Sequence, residues 1–258
     1  MQLEFYKYQG TGNDFVVIDD RSNQFDTTDE NQIRSLCDRR KGVGADGLML
    51  LRNHAEVDFE MLYFNADGKE GSMCGNGGRC IVDFAHHLGV IEDNCVFMAV
   101  DGLHDAKWSE ESVSLKMIDV NEVEVNEDFV YLDTGSPHYV KFIEDLESYP
   151  VFEEGKSIRY NERFKQKGTN VNFVEAQGVA CAVRTYERGV EDETLACGTG
   201  VTAVAIAAHS LKKNLDNPLS ISVLGGMLQV SFDVIDGSYK NVWLIGPATQ
   251  VFKGRIQC

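Results

Sequence analysis

Two tetrapeptides carry the chemistry. Cys74-Gly75-Asn76-Gly77 and Cys197-Gly198-Thr199-Gly200 share the pattern Cys-Gly-x-Gly, and each precedes the most helix-like segment of its half of the chain. The first turn of a helix exposes N–H groups without helical partners and the positive end of the macrodipole, which favours a thiolate over a thiol. The same N–H groups bind carboxylate oxygens, and glycine lets a ligand approach the backbone closely. Each unit therefore offers a reactive sulfur beside an anion cradle. If the two face each other across a cleft between the halves, one sulfur can remove a proton from a carbon bearing a held carboxylate. The other can deliver a proton to its opposite face. That is the equipment for inverting an α-amino acid without a cofactor.

The remaining cysteines, Cys37, Cys80, Cys95, Cys181 and Cys258, lack this setting and read as small buried hydrophobes. No Cys-x-x-Cys occurs, and Cys74 and Cys80 are badly spaced for zinc, so no metal site is expected. His86, His87, His104 and His209 read as surface residues. Gly42-Val43-Gly44-Ala45-Asp46-Gly47 matches G-x-G-x-x-G literally. It follows Asp38-Arg39-Arg40-Lys41 and precedes Leu48-Met49-Leu50-Leu51, so it lacks the strand-before, helix-after context of a dinucleotide site. Asn13, Asn65 and Asn170 lie in glycine-rich surroundings and read as turn formers or as ligands. Glu187-Arg188 reads equally as a surface ion pair or as a reader of an ammonium and a carboxylate.

These residues need elements to position them. Alternation or β-branched runs predict strands over 3–8, 15–18, 48–51 and 57–63. Ile81, Phe84, Ala85 and Leu88 mark one face of a helix that starts after Gly78 and ends at Gly89. The acidic stretch 119–128 is either a crossover between halves or a solvated edge strand. Beyond it, strands are predicted over 129–132, 172–175, 180–186, 219–224, 227–234 and 242–245. A second helix runs from Val201 to about Lys213, apolar nearly all round and therefore enclosed by protein. Strands around one central helix, twice over, predict an α+β plan of two similar halves. The expected halves are 1–118, joined by 249–258, and 119–248.

Composition narrows the partners. A chain of 258 residues with 43% hydrophobic and 25% charged residues has material for a core, which excludes disorder. Its 24 basic and 41 acidic side chains leave a net charge of −17. A surface that negative repels phosphate backbones and anionic lipid, so no nucleic-acid or membrane partner is expected. The start has neither a basic nor an apolar leader region, so a cytoplasmic protein with reduced thiols is expected.

Five blocks together resemble the diaminopimelate epimerase family. They are 10–15 (Gly-Thr-Gly-Asn-Asp-Phe), 64–68 (Phe-Asn-Ala-Asp-Gly), 73–80 (Met-Cys-Gly-Asn-Gly-Gly-Arg-Cys), 186–189 (Tyr-Glu-Arg-Gly) and 193–200 (Glu-Thr-Leu-Ala-Cys-Gly-Thr-Gly). They occur in the family's order and span most of the chain. The resemblance implies two pseudo-symmetric halves, each a mainly antiparallel strand layer wrapped around a central helix, with the substrate cleft between them. It implies a pyridoxal-independent epimerase that needs no cofactor and interconverts LL- and meso-2,6-diaminopimelate, on the route to lysine and peptidoglycan precursors. By motif position Cys74 and Cys197 would be the acid/base pair. Gly75, Asn76, Gly198 and Thr199 would supply N–H groups to the reacting carboxylate. Asn13, Asn65, Asn170, Glu187 and Arg188 would contact the rest of the diamino diacid, with Arg188 on the distal carboxylate and Glu187 on an ammonium. His138 and Glu187 would tune the thiols, and a homodimer is expected. The sequence departs from the family at Ser136, where Asn is frequent, which would weaken that ligand contact or hand it to water. It departs again at Gly47, where some members carry Gln. The nearest rival is proline or hydroxyproline racemisation; a related-fold isomerase without thiol chemistry is disfavoured by the presence of both cysteines, and a non-catalytic amino-acid-binding or thiol-redox protein is the rival from another class.

Overall fold

The structure is a computed structural model that describes residues 2–213 and 216–257. The chain divides into two compact units, Met1–Leu115 with Gly246–Cys258, and Lys116–Ile245.

The first unit runs β1 (Gln2–Gly10), β2 (Asn13–Asp19), α1 (Glu30–Cys37), β3 (Gly47–Arg52), β4 (Phe59–Asn65), α2 (Gly75–His87), β5 (Asn94–Ala99), β6 (Gly102–Trp108) and β7 (Val113–Lys116). The second runs β8 (Val123–Val125), β9 (Val130–Asp133), β10 (Pro137–Phe142), α3 (Val151–Arg159), β11 (Asn170–Gln177), β12 (Ala180–Glu187), β13 (Asp192–Thr194), α4 (Gly198–Ser210), β14 (Leu219–Val223), β15 (Gly226–Ile235) and β16 (Ser238–Gly246). The chain then returns to the first unit as β17 (Thr249–Gln257), which pairs antiparallel with β1 from Gln2↔Gln257 to Gln9↔Thr249.

Among the described residues the two units repeat one ladder. In the first it runs β17-β1-β2-β3-β4-β5-β6-β7, and in the second β8-β9-β10-β11-β12-β14-β15-β16. Both have the pairing sequence antiparallel, antiparallel, parallel, antiparallel, parallel, antiparallel, antiparallel. Each parallel pair is bridged by a crossover containing a helix: α1 and α2 in the first unit, α3 and α4 in the second. The mainly antiparallel α+β plan expected from the sequence is what the chain adopts.

The central helices are α2, against β1, β2, β3, β6 and β17, and α4, against β8–β12, β14 and β15. Every residue from Val201 to Ala208 is buried, as the all-round apolar pattern requires. Helix α2 starts at Gly75, not after Gly78. The glycines are packing devices here: a Cβ on Gly78 would meet Leu115 Cδ2 at 2.9 Å, and one on Gly77 would meet Met49 Sδ at 3.2 Å. The stretch 119–128 supplies β8, the strand alternative.

The sequence reading had no place for α1 and α3. Helix α1 is started by Asp29, whose carboxylate accepts from the N–H groups of Asn31 and Gln32, and it buries Ile33, Leu36 and Cys37 against Leu48 and Leu50. Helix α3 has Gly155 at its centre because a Cβ there would lie 2.4 Å from Tyr186 Cβ. It closes a second apolar cluster of Val151, Phe164, Phe173 and Tyr186.

Candidate functional site

Cys74 caps α2 in an extended conformation (φ −116°, ψ 131°) and Cys197 caps α4 likewise (φ −122°, ψ 109°). Neither first turn carries an acidic residue or a side-chain cap. The first helical bonds run from Gly78 N–H to Cys74 O at 2.7 Å and from Val201 N–H to Cys197 O at 2.9 Å. The N–H groups of 75–77 and 198–200 therefore precede the intrahelical ladder, which leaves each helix start suited to an anion. Cys74 is half-buried, and Cys197 is 8% exposed.

In the first unit the structure brings Asn13, Cys74, Gly75 and Asn76 together. The Cys74 thiol donates to Asn13 Oδ1 at 3.6 Å, and Asn76 Nδ2 reaches the same oxygen at 3.5 Å. Asn13 Nδ2 donates to Asp46 Oδ2 at 2.8 Å, which fixes the amide with its oxygen toward the sulfur. Arg79, absent from the expected site, is fully buried beneath this turn. Its guanidinium donates to Gly75 O at 3.1 Å, Asn76 Oδ1 at 3.1 Å, Thr11 Oγ1 at 3.2 Å and Pro247 O at 3.3 Å. Among the described residues no carboxylate stands within ion-pair distance of it, and burial pulls its pKa below the usual arginine range. Its presence inside the Cys-Gly-Asn-Gly-Gly-Arg run was the available signal. Asn65 ends β4 and is exposed.

In the second unit His138, Asn170, Arg188, Cys197 and Thr199 form one connected set. His138 Nε2 lies 2.9 Å from Thr199 Oγ1, and Thr199 Oγ1 lies 3.4 Å from Cys197 Sγ. His138 is fully buried, and burial followed by the nearby Arg188 charge pushes its pKa down to about 3. Asn170 Oδ1 accepts from the Arg188 backbone N–H at 2.9 Å, and its Nδ2 donates to Ser136 Oγ at 2.9 Å. The Arg188 guanidinium donates to Ser136 Oγ at 3.3 Å and Lys167 O at 3.0 Å. Ser136 thus joins Asn170 to Arg188, a role its short side chain did not suggest. Glu187 and Arg188 do not pair with each other among the described residues. Glu187 accepts from Thr194 Oγ1 at 2.8 Å, and burial raises its pKa, with the Thr194 hydroxyl opposing.

The other cysteines behave differently. Cys37 and Cys181 are buried and burial lifts both thiols to about 11, Cys95 to about 12, and Cys80 higher still. Cys258 lies outside the described residues. His87 and His209 are exposed, whereas His86 stacks on Trp108 and His104 on Phe97, both half-buried because the aromatic faces cover them. The glycine run 42–47 joins α1 to β3, the reverse of a dinucleotide fingerprint. Over Gly47 lies Tyr63, whose ring carbon would stand 2.5 Å from a Cβ there. Among the described residues no cluster of His, Cys, Asp and Glu is arranged to hold a metal, and no helix is long and apolar enough to cross a membrane.

The duplicated ladder with a cysteine at the head of each central helix defines a class of fold. The fold alone, without reference to the cysteines, is similar to that of a Bacillus anthracis phenazine biosynthesis protein of the PhzF family, at a TM-score of 0.78 and 14% identity over 100% of both chains. The family model described as diaminopimelate epimerase matches residues 5–123 and 130–251. The chain is 48% identical over 256 residues to the diaminopimelate epimerase of Flavobacterium psychrophilum, covering 98% of this chain and 100% of that one. It is 42% identical over 257 residues to the Chlorobaculum tepidum diaminopimelate epimerase, covering 96% and 98%. The chain belongs to the diaminopimelate epimerase family.

Proposed function

We propose that the protein is an isomerase that interconverts LL- and meso-2,6-diaminopimelate by two-base proton transfer. The carrying observation is the pair of equivalent helix starts, each capped by a cysteine, in a chain of this family. One sulfur, as thiolate, takes the α-proton. The other, as thiol, delivers its proton to the opposite face of the same carbon. The roles then stand reversed, with one S–H broken and one formed.

Only a few per cent of an ordinary cysteine is thiolate at neutral pH, so each helix start must favour the anion. The carbanion's charge passes into the neighbouring carboxylate. The N–H groups of Gly75 and Asn76, and of Gly198 and Thr199, are assigned to that carboxylate because they open the two helices. Arg188, joined to Ser136 and Asn170, is assigned to the distal carboxylate as a fork. Glu187, a half-buried carboxylate without a cation partner among the described residues, is assigned to an ammonium. Asn13 and Asn65 complete the set of substrate contacts. His138 acts on the second thiol through Thr199, and because burial and the Arg188 charge oppose its protonation it is a poor acceptor for the substrate proton itself. The proposed setting is the cytoplasm, with a homodimer as the assembly and no cofactor required.

The test incubates reduced protein with LL-diaminopimelate in D2O and follows the α-proton by NMR. Deuterium entry with meso product is expected, and Cys74→Ala and Cys197→Ala should each remain folded and lose it. Exchange with proline in place of diaminopimelate would transfer the chain to racemase chemistry. Exchange with neither would leave a binding or redox protein.

A further inference from the structure

The second unit contains a directed chain of hydrogen bonds that ends on sulfur. It begins at Asn172, a fully buried residue of β11 outside the site described above. Asn172 Nδ2 lies 3.0 Å from the Tyr139 carbonyl oxygen, which only accepts, so the amide nitrogen must face it. The other side agrees with this orientation, since Asn172 Oδ1 accepts from Thr185 Oγ1 at 3.0 Å. The second amide hydrogen is therefore directed at His138 Nδ1, 3.1 Å away. A ring nitrogen that accepts carries no proton, so the neutral imidazole holds its hydrogen on Nε2. Nε2 donates to Thr199 Oγ1 at 2.9 Å. With that lone pair engaged, the Thr199 hydroxyl hydrogen turns to Cys197 Sγ at 3.4 Å.

The neighbouring amide donor is engaged elsewhere. Asn170 Nδ2 lies 3.5 Å from His138 Nε2, but its hydrogens go to Ser136 Oγ at 2.9 Å and Pro137 O at 3.2 Å. The charged group acting on His138 is Arg188, which opposes protonation of the ring together with burial. Gly200 makes room for the chain: a Cβ there would stand 2.6 Å from Asn172 Oδ1 and 3.4 Å from Cys197 Sγ. Cys74 has a different neighbour, since Asn13 offers it a carbonyl oxygen that accepts from a thiol.

We propose that Asn172 is a positioning residue that, through His138 and Thr199, keeps a hydroxyl hydrogen on the Cys197 sulfur and makes Cys197 the resting thiolate of the pair. The significance of this assignment rests on the epimerase reading, but its test does not. Asn172→Asp replaces the amide donor with an acceptor of the same shape. The ring proton then moves to Nδ1, Nε2 becomes an acceptor, and the Thr199 hydroxyl turns away from sulfur toward it. Thr199→Val removes the hydroxyl directly.

The experiment measures iodoacetamide alkylation of the reduced full chain from pH 5 to 10, with mass spectrometry separating the Cys74 and Cys197 peptides. Cys197 should react at lower pH than Cys74. Each substitution should lower the Cys197 rate at neutral pH about tenfold, and the double variant no further. Cys74 is the internal reference, whose profile stays in place. An unchanged Cys197 profile in folded Thr199→Val, or effects that multiply in the double variant, would overturn the relay. If Asn172→Asp does not fold, 15N NMR of the histidine rings in the unsubstituted chain decides. A His138 hydrogen on Nε2 supports the relay, and one on Nδ1 refutes it. Because alkylation needs no turnover, the relay can fail while deuterium exchange with diaminopimelate persists, and the reverse.

Discussion

The Asn13 side-chain oxygen stands 3.6 Å from the Cys74 sulfur, held there because Asp46 claims the amide nitrogen of the same side chain. The carboxylate of Asp46 is in turn held by Arg39 at 2.7 Å. Unit for unit, Cys74 faces an acceptor and Cys197 faces a hydroxyl. The duplicated scaffold thus presents two chemically unequal sulfurs, which suits a reaction that needs one thiol and one thiolate at a time.

Replacing Asn13 with Asp places a negative charge beside Cys74. Like charge disfavours a second anion, so the Cys74 pKa rises and its alkylation at pH 7 slows about tenfold. Cys197 keeps its own profile. The pH–rate curve of alkylation at each peptide measures this, and a Cys74 curve that stays in place would remove Asn13 from the account.

Ser136 ties the Arg188 guanidinium to Asn170 through one hydroxyl. Both partners lie on the proposed distal end of the substrate, away from the reacting carbon. Ser136→Ala therefore loosens ground-state and transition-state binding alike, and KM should rise about three- to tenfold with kcat nearly unchanged. Initial-rate kinetics in both directions check it. A fall in kcat with KM constant would place Ser136 at the reacting centre.

What could be read from the chain was whatever repeats or alternates. Cys-Gly-x-Gly occurs twice, and the apolar run of α4 announces its own burial. The twofold ladder follows from strand alternation interrupted by those helices. Contacts made at long sequence separation left no such mark. Asn172 owes its role to a histidine 34 residues away and to Thr185. Arg79 sits inside a quoted motif, but its four acceptors come from three separate segments. Helix α3 escaped for a local reason: Gly155 is a poor helix former, retained because Tyr186 occupies the space of a side chain.

Tyr63 lies between two glycines. A Cβ on Gly47 would be 2.5 Å from its ring and 2.6 Å from the Phe64 carbonyl oxygen, and a Cβ on Gly71 would be 2.5 Å from the opposite ring edge. Backbone on one side leaves no room to yield. Gly47→Ala should cost about 1–3 kcal/mol of stability, measured by urea unfolding, and Gly47→Ala with Tyr63→Ala should recover part of it. Unaltered stability in the single variant would mean that the ring moves freely.

His138 gives the protein a defined acid sensitivity. Its folded pKa of about 3 lies below the ordinary 6.5, because charging the ring means desolvating it beside Arg188. Between those values the unfolded chain binds the extra proton, so stability falls as pH falls. This contribution is fully present above pH 6.5 and is lost progressively toward pH 3. Glu187 has the opposite sign. Its pKa is raised above 4.5, so its contribution is present below 4.5 and lost as pH rises through the folded value. From pH 7 to 5 the histidine effect amounts to about 2 kcal/mol. Urea unfolding at those two pH values should show that loss in the unsubstituted protein, and His138→Asn should flatten it. A variant that keeps the full pH dependence would assign the acid sensitivity to other groups and leave His138 without this role.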